Sequence, residues 1–360
     1  MEVDCSKTDR ISTLPKDIID SILTLMPLGE AMKTSILSKK WRYKWANIPK
    51  LYMDYNMFDS YLYYFGSSVL ENTLIHNAIL HVLLLHTSPL LEFTLLINRN
   101  LSFEIDPIIL YLSRKNSTLQ RLTLANHSDH RYKLPISFFS FNKLEYLALK
   151  KFVCKPPLTF NSFCTLRYLC FYDNVEITTK SLKRILTNCP LLQELYLYGK
   201  KENGEKDNGC AIAEEDKLTF VELFESSPRL ENLAIEKYYI ENEQSNDSQS
   251  IAMDFLGLQE HSNFKLYHLN KLVMKNFSNL AIEMEFLKLI VTQAPVLQKI
   301  RIELNENFPV EEELKILKDE LFSNASPSIK LMVERPIMPS VNKIEKQYYK
   351  KKRSETTGCT

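Results

Sequence analysis

His127-Ser128-Asp129-His130 sets two imidazoles, a hydroxyl and a carboxylate side by side in the chain. Side chains of those types ligate zinc or relay protons when several of them converge. No further ligand set lies nearby in sequence, and the stretch is polar, so it reads as a solvated loop. His76, His81 and His86 recur every five residues, a spacing that does not align them on one helix face. A nucleophilic cysteine needs a neighbouring base or cation to hold it as thiolate. Cys164 and Cys170 flank a strand-like segment, and no local base marks either one. Nucleotide folds place glycines where backbone must approach phosphate. This chain has only seven glycines, and neither G-x-G-x-x-G nor G-x-x-x-x-G-K-[ST] occurs. The sequence therefore assigns no catalytic residue, cofactor or metal.

The elements around these residues suggest binding instead. At 360 residues the chain is long for one domain, which fits two units or one repeating unit. Forty-five basic against forty-four acidic residues give a net charge of +1, which offers no case for nucleic acid. Seven cysteines without a C-x-x-C pair read as thiols of a reducing compartment. The polar start MEVDCSKTDR is unlike a signal peptide. The most apolar stretch, AILHVLLLHTSPLLEFTLLI, is too interrupted for a membrane span. Cytoplasm or nucleus is the expected location.

Residues 11–50 carry a compact helical pattern. Pro15 suits a helix start, and Ile18, Ile19, Ile22, Leu23 and Met26 then follow at helical spacing up to Pro27 and Gly29. A second short helix holds Ala31, Ser35 and Ile36. A third, capped by Ser38, is expected to carry Trp41 and Trp45, the only tryptophans. Three helices in so short a span cannot bury much core without a metal, a disulfide or a partner. The spare apolar surface of Leu14, Ile18, Ile22, Leu28, Ile36, Leu37, Trp41 and Trp45 points to a protein partner or to docking on the remaining chain.

The wording of this unit is specific. L-P-x-x-I-I-x-x-I-L-x-x-M-P-L runs from Leu14 to Leu28, and S-x-L-S-K-K-W-R-x-x-W from Ser35 to Trp45. Together they resemble the F-box of plant F-box proteins. One departure is Gly29-Glu30-Ala31-Met32, where the family carries a more polar turn. The resemblance implies docking onto a Skp-type adaptor, and through it a cullin-based ubiquitin ligase. It implies an adaptor-binding set of Leu14, Pro15, Ile18, Ile22, Leu28, Ile36, Leu37 and Trp41; Trp45 is expected at the junction toward the rest of the chain.

Beyond residue 85 the pattern L-x-x-L-x-L recurs, from Leu90/Phe93/Leu95 through Leu119/Leu122/Leu124 to Leu297/Ile300/Ile302. Successive copies start 29, 25, 22, 26, 38, 39 and 28 residues apart, and five of these intervals lie near those of leucine-rich repeats. The two long intervals contain the polar inserts KKENGEKDNGCAIAEED and ENEQSNDSQS, expected to be projecting loops. Cues such as CPLLQEL and APVLQKI follow helical segments, so helix, proline, strand is the unit. These irregular repeats resemble those of plant F-box/FBD/LRR proteins, and residues 285–333 resemble the FBD region in spacing.

Alternation within each strand sends leucines inward and the intervening residues to the other face, which is concave in a horseshoe. Tyr146, Tyr168, Tyr172, Tyr196 and Tyr198 fall on that face in three successive strands. Tyrosine offers large contact area with a polar tip, so these five are the candidate substrate-binding residues, with strand propensity as the competing explanation.

The expected architecture is α/β: a small N-terminal three-helix F-box followed by an irregular leucine-rich-repeat solenoid. Its boundaries are a disordered start at 1–10, the F-box at 11–50 and a linking helical segment at 51–88. Repeats follow at 89–284, FBD-like terminal repeats at 285–335 and a basic flexible tail at 336–360. The run Lys350-Lys351-Lys352-Arg353 reads as a solubilising tail, with nuclear import as the alternative. The expected function is the non-catalytic substrate receptor of an SCF-type ubiquitin ligase, holding an adaptor at one end and an unknown protein target along the repeats. The alternatives are a leucine-rich scaffold outside any ligase and a ligand-sensing F-box receptor.

Overall fold

The computed structural model describes residues 11, 13–54, 68–97, 105–115, 118–128, 130–173, 175–198, 220–236, 265–305 and 329–335. Both polar inserts and the basic tail lie outside these residues, as does Asp129.

Helix α1 (Lys16–Leu25) starts directly after Pro15, whose carbonyl accepts the Ile19 N–H at 3.2 Å. Pro27 stops it and opens α2 (Leu28–Lys33). The expected third helix is not α-helical. Residues 39–43 form turns, and only Lys44–Asn47 closes a short 3-10 turn, after Tyr43 leaves helical geometry at φ −131°. Trp41 and Trp45 both reach the interior from this tighter path, so their four-residue spacing suits turns as well as a helix. Ser38 provides no cap here.

Strand β1 (Lys50–Asp54) comes next, then α3 (Ser68–Leu85) and β2 (Glu92–Ile97). The chain continues through α4 (Asp106–Lys115), β3 (Arg121–Asn126), β4 (Tyr132–Lys133), β5 (Tyr146–Lys150), β6 (Phe152–Val153) and β7 (Tyr168–Tyr172). Then follow α5 (Thr179–Thr187), β8 (Glu194–Leu197), α6 (Phe220–Glu225) and β9 (Asn232–Glu236). The described part closes with β10 (Lys271–Phe277), α7 (Ala281–Gln293), β11 (Lys299–Leu304) and β12 (Lys330–Glu334).

Ten strands form one sheet in the order β1-β2-β3-β5-β7-β8-β9-β10-β11-β12, with β4 and β6 paired beside it. Every pairing is parallel. Parallel neighbours need a crossover, and the proline-terminated helices provide several of them. The sheet begins at Lys50 rather than in the expected repeat region from residue 89, so the segment after the F-box is not only a helical link. β1 is an edge strand whose Leu51 and Met53 alternate inward as in the later copies.

Register follows the leucines. Phe93, Leu122, Leu147, Leu169, Leu195, Leu233, Leu272 and Ile300 are successive Cα partners across the sheet. At the start of each strand of the ten-stranded sheet from β2 to β11, two consecutive N–H groups donate to one carbonyl just before the neighbouring strand. Gln120 O, for example, accepts from Glu145 and Tyr146 at 2.8 and 3.0 Å, and Glu145 O from Arg167 and Tyr168 at 2.9 and 3.0 Å. Side chains extend this ladder, as Gln193 donates to Glu231 at 2.9 Å.

The core is one continuous cluster running from Ile19 in α1 to Ile329 beside β12. Among the described residues, the crossovers on either side of β5 hold no α-helix, only a 3-10 turn at Ile136–Ser140 before it. Phenylalanines fill the space instead: Phe138 meets Phe139 and Phe163 edge-on at 5.2 and 5.9 Å, and Phe163 meets Phe160 at 5.1 Å. Such T-shaped pairs orient rings without a regular helix behind them.

Candidate functional site

Two surfaces stand out, one at each unit. In the N-terminal unit, Ile19, Leu23, Leu28, Ala31, Trp41 and Trp45 are buried. That interior accounts for one face of α1. The other face is also apolar: Leu14, Ile18, Ile22 and Leu25 are exposed, joined by Ile36 at 85% and Leu37 at 70% exposure on the next turns. A short helix apolar on both sides is incomplete alone, because water is left against surface that burial would stabilise. Ile11, Leu25 and Tyr43 extend the exposed set beyond the residues expected from sequence. For Leu25 the signal was available, since it continues the i, i+4, i+7 stripe of Ile18 and Ile22.

Two members of the expected adaptor-binding set need correction. Trp41 is only 5% exposed and Leu28 7%, because both pack into the unit's own interior. Lys44 Nζ lies 5.0 Å over the Trp41 ring, covering what remains of its face. Leu14, Pro15, Ile18, Ile22, Ile36 and Leu37 do lie at the surface. Trp45 sits beside the joint to the sheet, where the Ala46 carbonyl accepts the Thr87 N–H at 3.0 Å and His86 Nε2 contacts Ile48 O at 2.8 Å.

The second surface is the open face of the sheet, whose residues lie between the buried leucines. Tyr146 and Tyr168, Cα partners on β5 and β7, stack at 4.2 Å with ring planes 11° apart. Tyr168 continues to Tyr196 at 5.0 Å, and Tyr196 to Tyr198 at 6.0 Å. Cations close both ends: Arg121 lies 4.0 Å over Tyr146, and Lys275 lies 4.0 Å over Tyr198. Tyr172 stands aside, with Lys150 Nζ 5.9 Å from its ring. Beneath the rings sit small buried residues, Thr123, Ala148, Cys170 and Ala234.

Stacking uses up most ring faces, so the assembly offers ring edges and hydroxyls to a partner. Burial is the main cause that pushes the phenols of Tyr146, Tyr168, Tyr196 and Tyr198 above their ordinary range, with Cys170 nearby adding to it. They remain protonated hydrogen-bond donors at neutral pH. Several are already engaged: Tyr196 donates to Glu194 Oε2 at 2.6 Å, and Tyr168 hydrogen-bonds with Tyr146 and Cys170.

Charge is distributed unevenly along the same face. In the strand-start row, Lys50, Glu92 and Arg121 alternate in sign and pair at 3.2 and 3.8 Å. At the far end that row holds Lys271, Lys299 and Lys330 in register. The strand-end row there holds Glu236, Lys275, Glu303 and Glu334, and Arg301 is held between Glu303 at 3.2 Å and Glu334 at 2.7 Å.

The residues that suggested chemistry are spent on structure. Asn126 Nδ2 donates to the carbonyls of His130 and Lys151, and its Oδ1 accepts from Ser128 N, which fixes the turn after β3. His127 Nδ1 lies 3.3 Å from Lys150 Nζ, which pairs with Asp173 at 2.9 Å. His81 is exposed and His86 buried, with His76 between these extremes. Burial pushes the Cys170 thiol up to about 12, the reverse of an activated nucleophile. Among the described residues no group of three metal-capable side chains converges. A cleft of about 210 Å³ between α3, α4 and the start of β2 is lined by Leu83, His86, Ser88 and Tyr111. Its polar groups serve the fold: Tyr111 donates to Leu83 O at 2.7 Å and Ser88 to Asn47 Oδ1 at 2.8 Å.

Comparison with known proteins gives two matches to family models. The F-box domain matches residues 11–52, and the LRR repeats of FBD-associated F-box protein At5g56370 match residues 110–237. Among similar curated proteins, F-box/FBD/LRR-repeat protein At1g13570 of Arabidopsis thaliana is 32% identical over 190 residues, 52% of this chain and 44% of that protein. F-box/FBD/LRR-repeat protein At2g04230 of the same plant is 32% identical over 208 residues, 55% of this chain and 44% of that protein. Putative F-box/LRR-repeat protein At4g15060, also from Arabidopsis thaliana, is 27% identical over 268 residues, 70% of this chain and 60% of that protein. The chain thus spans less than half the length of the first two.

Proposed function

We propose that this chain, whose residues 11–52 match the F-box domain and whose residues 110–237 match the LRR repeats of an FBD-associated F-box protein, acts as the substrate-recognition subunit of an SCF-type ubiquitin ligase. The F-box holds a Skp-type adaptor and, through it, a cullin. The open face of the sheet holds a target protein. Ubiquitin is carried by a separate enzyme, and this chain contributes proximity: it raises the local concentration of target lysines near the transfer centre and supplies no reacting group of its own.

One observation carries the reading. The F-box interior is satisfied by Ile19, Leu23, Trp41 and Trp45, yet Ile18, Ile22, Ile36 and Leu37 remain outside it. They form an apolar surface that a helical adaptor would cover. Co-expression with a Skp-type adaptor and co-purification of the pair tests this. Retained adaptor in an Ile22→Asp/Leu37→Asp chain would overturn it.

The free thiols at Cys154, Cys164, Cys170 and Cys189 support a reducing compartment, so the proposal includes a cytoplasmic or nuclear location. A reporter fused to residues 340–360 tests the basic run, and even spread of that reporter would assign it to solubility.

A further inference from the structure

Lys271, Lys299 and Lys330 are Cα partners on β10, β11 and β12, so their ammonium groups project from positions about 4.8 Å apart. Like charges placed directly opposite one another destabilise a sheet. The first strands of the same row avoid this by alternation, with Glu92 between Lys50 and Arg121. Other cations of the last strands are engaged, Arg301 by two carboxylates and Lys275 by the Tyr198 ring. Among the described residues, the three lysines have no ion pair. A lysine on an edge strand guards against unwanted pairing, which accounts for Lys330 but not for Lys271 and Lys299 on interior strands.

We infer that this lysine row binds an acidic, extended segment of the target protein. The inference rests on the proposed role of the open face and names the chemistry of its partner. Side chains on one side of an extended peptide recur about every 6.8 Å, so anionic residues at i and i+2 fit the span of three strands. The same row leads across Asn232 and Glu194 to Tyr168. A segment seated on the lysines therefore continues toward the tyrosine stack. Glu194, already accepting from Tyr196, repels acidic residues there and sets the segment's register. Carboxylates and phosphorylated serines supply the same charge, and the test separates them.

The test uses the full chain purified with its adaptor and fluorescence anisotropy at low salt. The probes are labelled short peptides with a tyrosine and alternate positions filled by glutamate, phosphoserine or glutamine, and a single-stranded DNA of equal charge. The glutamate or the phosphoserine peptide is expected to bind at least about tenfold tighter than the glutamine peptide, and to weaken as salt rises. Lys271→Gln/Lys299→Gln/Lys330→Gln removes that preference, while Lys50→Gln, a paired lysine of the same row, keeps it. An unchanged thermal midpoint for the triple variant shows that the loss is not unfolding. Equal binding of the glutamine peptide, preference retained in the triple variant, or tighter lysine-dependent binding of DNA would each overturn the inference. Adaptor retention is read in the same purification, so failure of the ligase reading is seen separately from failure of the lysine row.

Discussion

The F-box and the sheet are made from the same kinds of residues and finish in opposite states. Along the sheet, every leucine of the repeat is matched by a neighbour one strand away, so the apolar set is consumed and the open face is left with tyrosine and charge. In the F-box the stripe on α1 is wider than the interior beneath it, and isoleucines remain in water. A repeating unit finds its partner in the next copy, whereas a single small unit must find one elsewhere. The difference teaches that the two ends suit two kinds of contact, one driven by apolar area and one by stacked rings and charge.

The sharpest way to break this comparison is to remove a residue that each unit keeps for itself. Phe171→Ala in the sheet, or Trp41→Ala in the F-box, should cost about 3–5 kcal/mol in chemical denaturation, because both rings are buried. Trp41→Ala losing adaptor without loss of stability would return that ring to the outer surface. Next in size is Ile22→Asp/Leu37→Asp, expected to weaken adaptor binding at least about a hundredfold by calorimetry with a nearly unchanged thermal midpoint. A large drop in that midpoint would mean the two side chains serve the interior.

An alkaline titration probes the buried thiols. Cys154 and Cys170 titrate near 12 in the fold, above their usual 9, because burial disfavours the thiolate. Their raised values stabilise the fold below pH 9. That contribution declines as pH rises from about 9 toward 12, by about 1.4 kcal/mol per pH unit for each group. Cys170→Ala should flatten the decline, measured as denaturation midpoints across this range. The smallest effect is expected at the end of the tyrosine stack, where Arg121→Ala should cost about 0.5–1 kcal/mol. Tyr168→Ala, in the middle, should cost more and reduce capture of targets.

Much of this was legible because a period of two leaves little freedom. Once Leu147 and Leu169 face inward, Tyr146 and Tyr168 must share the other face, and the ladder pairs them as neighbours. What the pattern did not contain was reach. Tyr196 belongs to the next row along the strand, yet its ring meets Tyr168 diagonally, while Tyr172 turns to Lys150 instead. The path carrying Trp41 and Trp45 differs from the expected helix because a ring can reach the same interior from a helix or from successive turns. β1 was missed because its nearest copy lies far along the chain, although Pro49 followed by Leu51 and Met53 repeats the cue of the later strands. Lys330 is not legible from the repeat, because β12 sits beyond a long interval.

The doubled hydrogen bond at each strand start has a further consequence. Because one carbonyl just before the neighbouring strand anchors two N–H groups, the phase of each sheet strand from β2 to β11 is reset at its first residue, whatever length of chain came before. The intervals between copies therefore vary from 22 to 39 residues without turning a single tyrosine or lysine to the wrong side. Such an architecture tolerates insertion between copies but not within them. Its connecting segments are free to diverge quickly while the spacing of the recognition face stays fixed, as type stays aligned on a rule however wide the gaps between words.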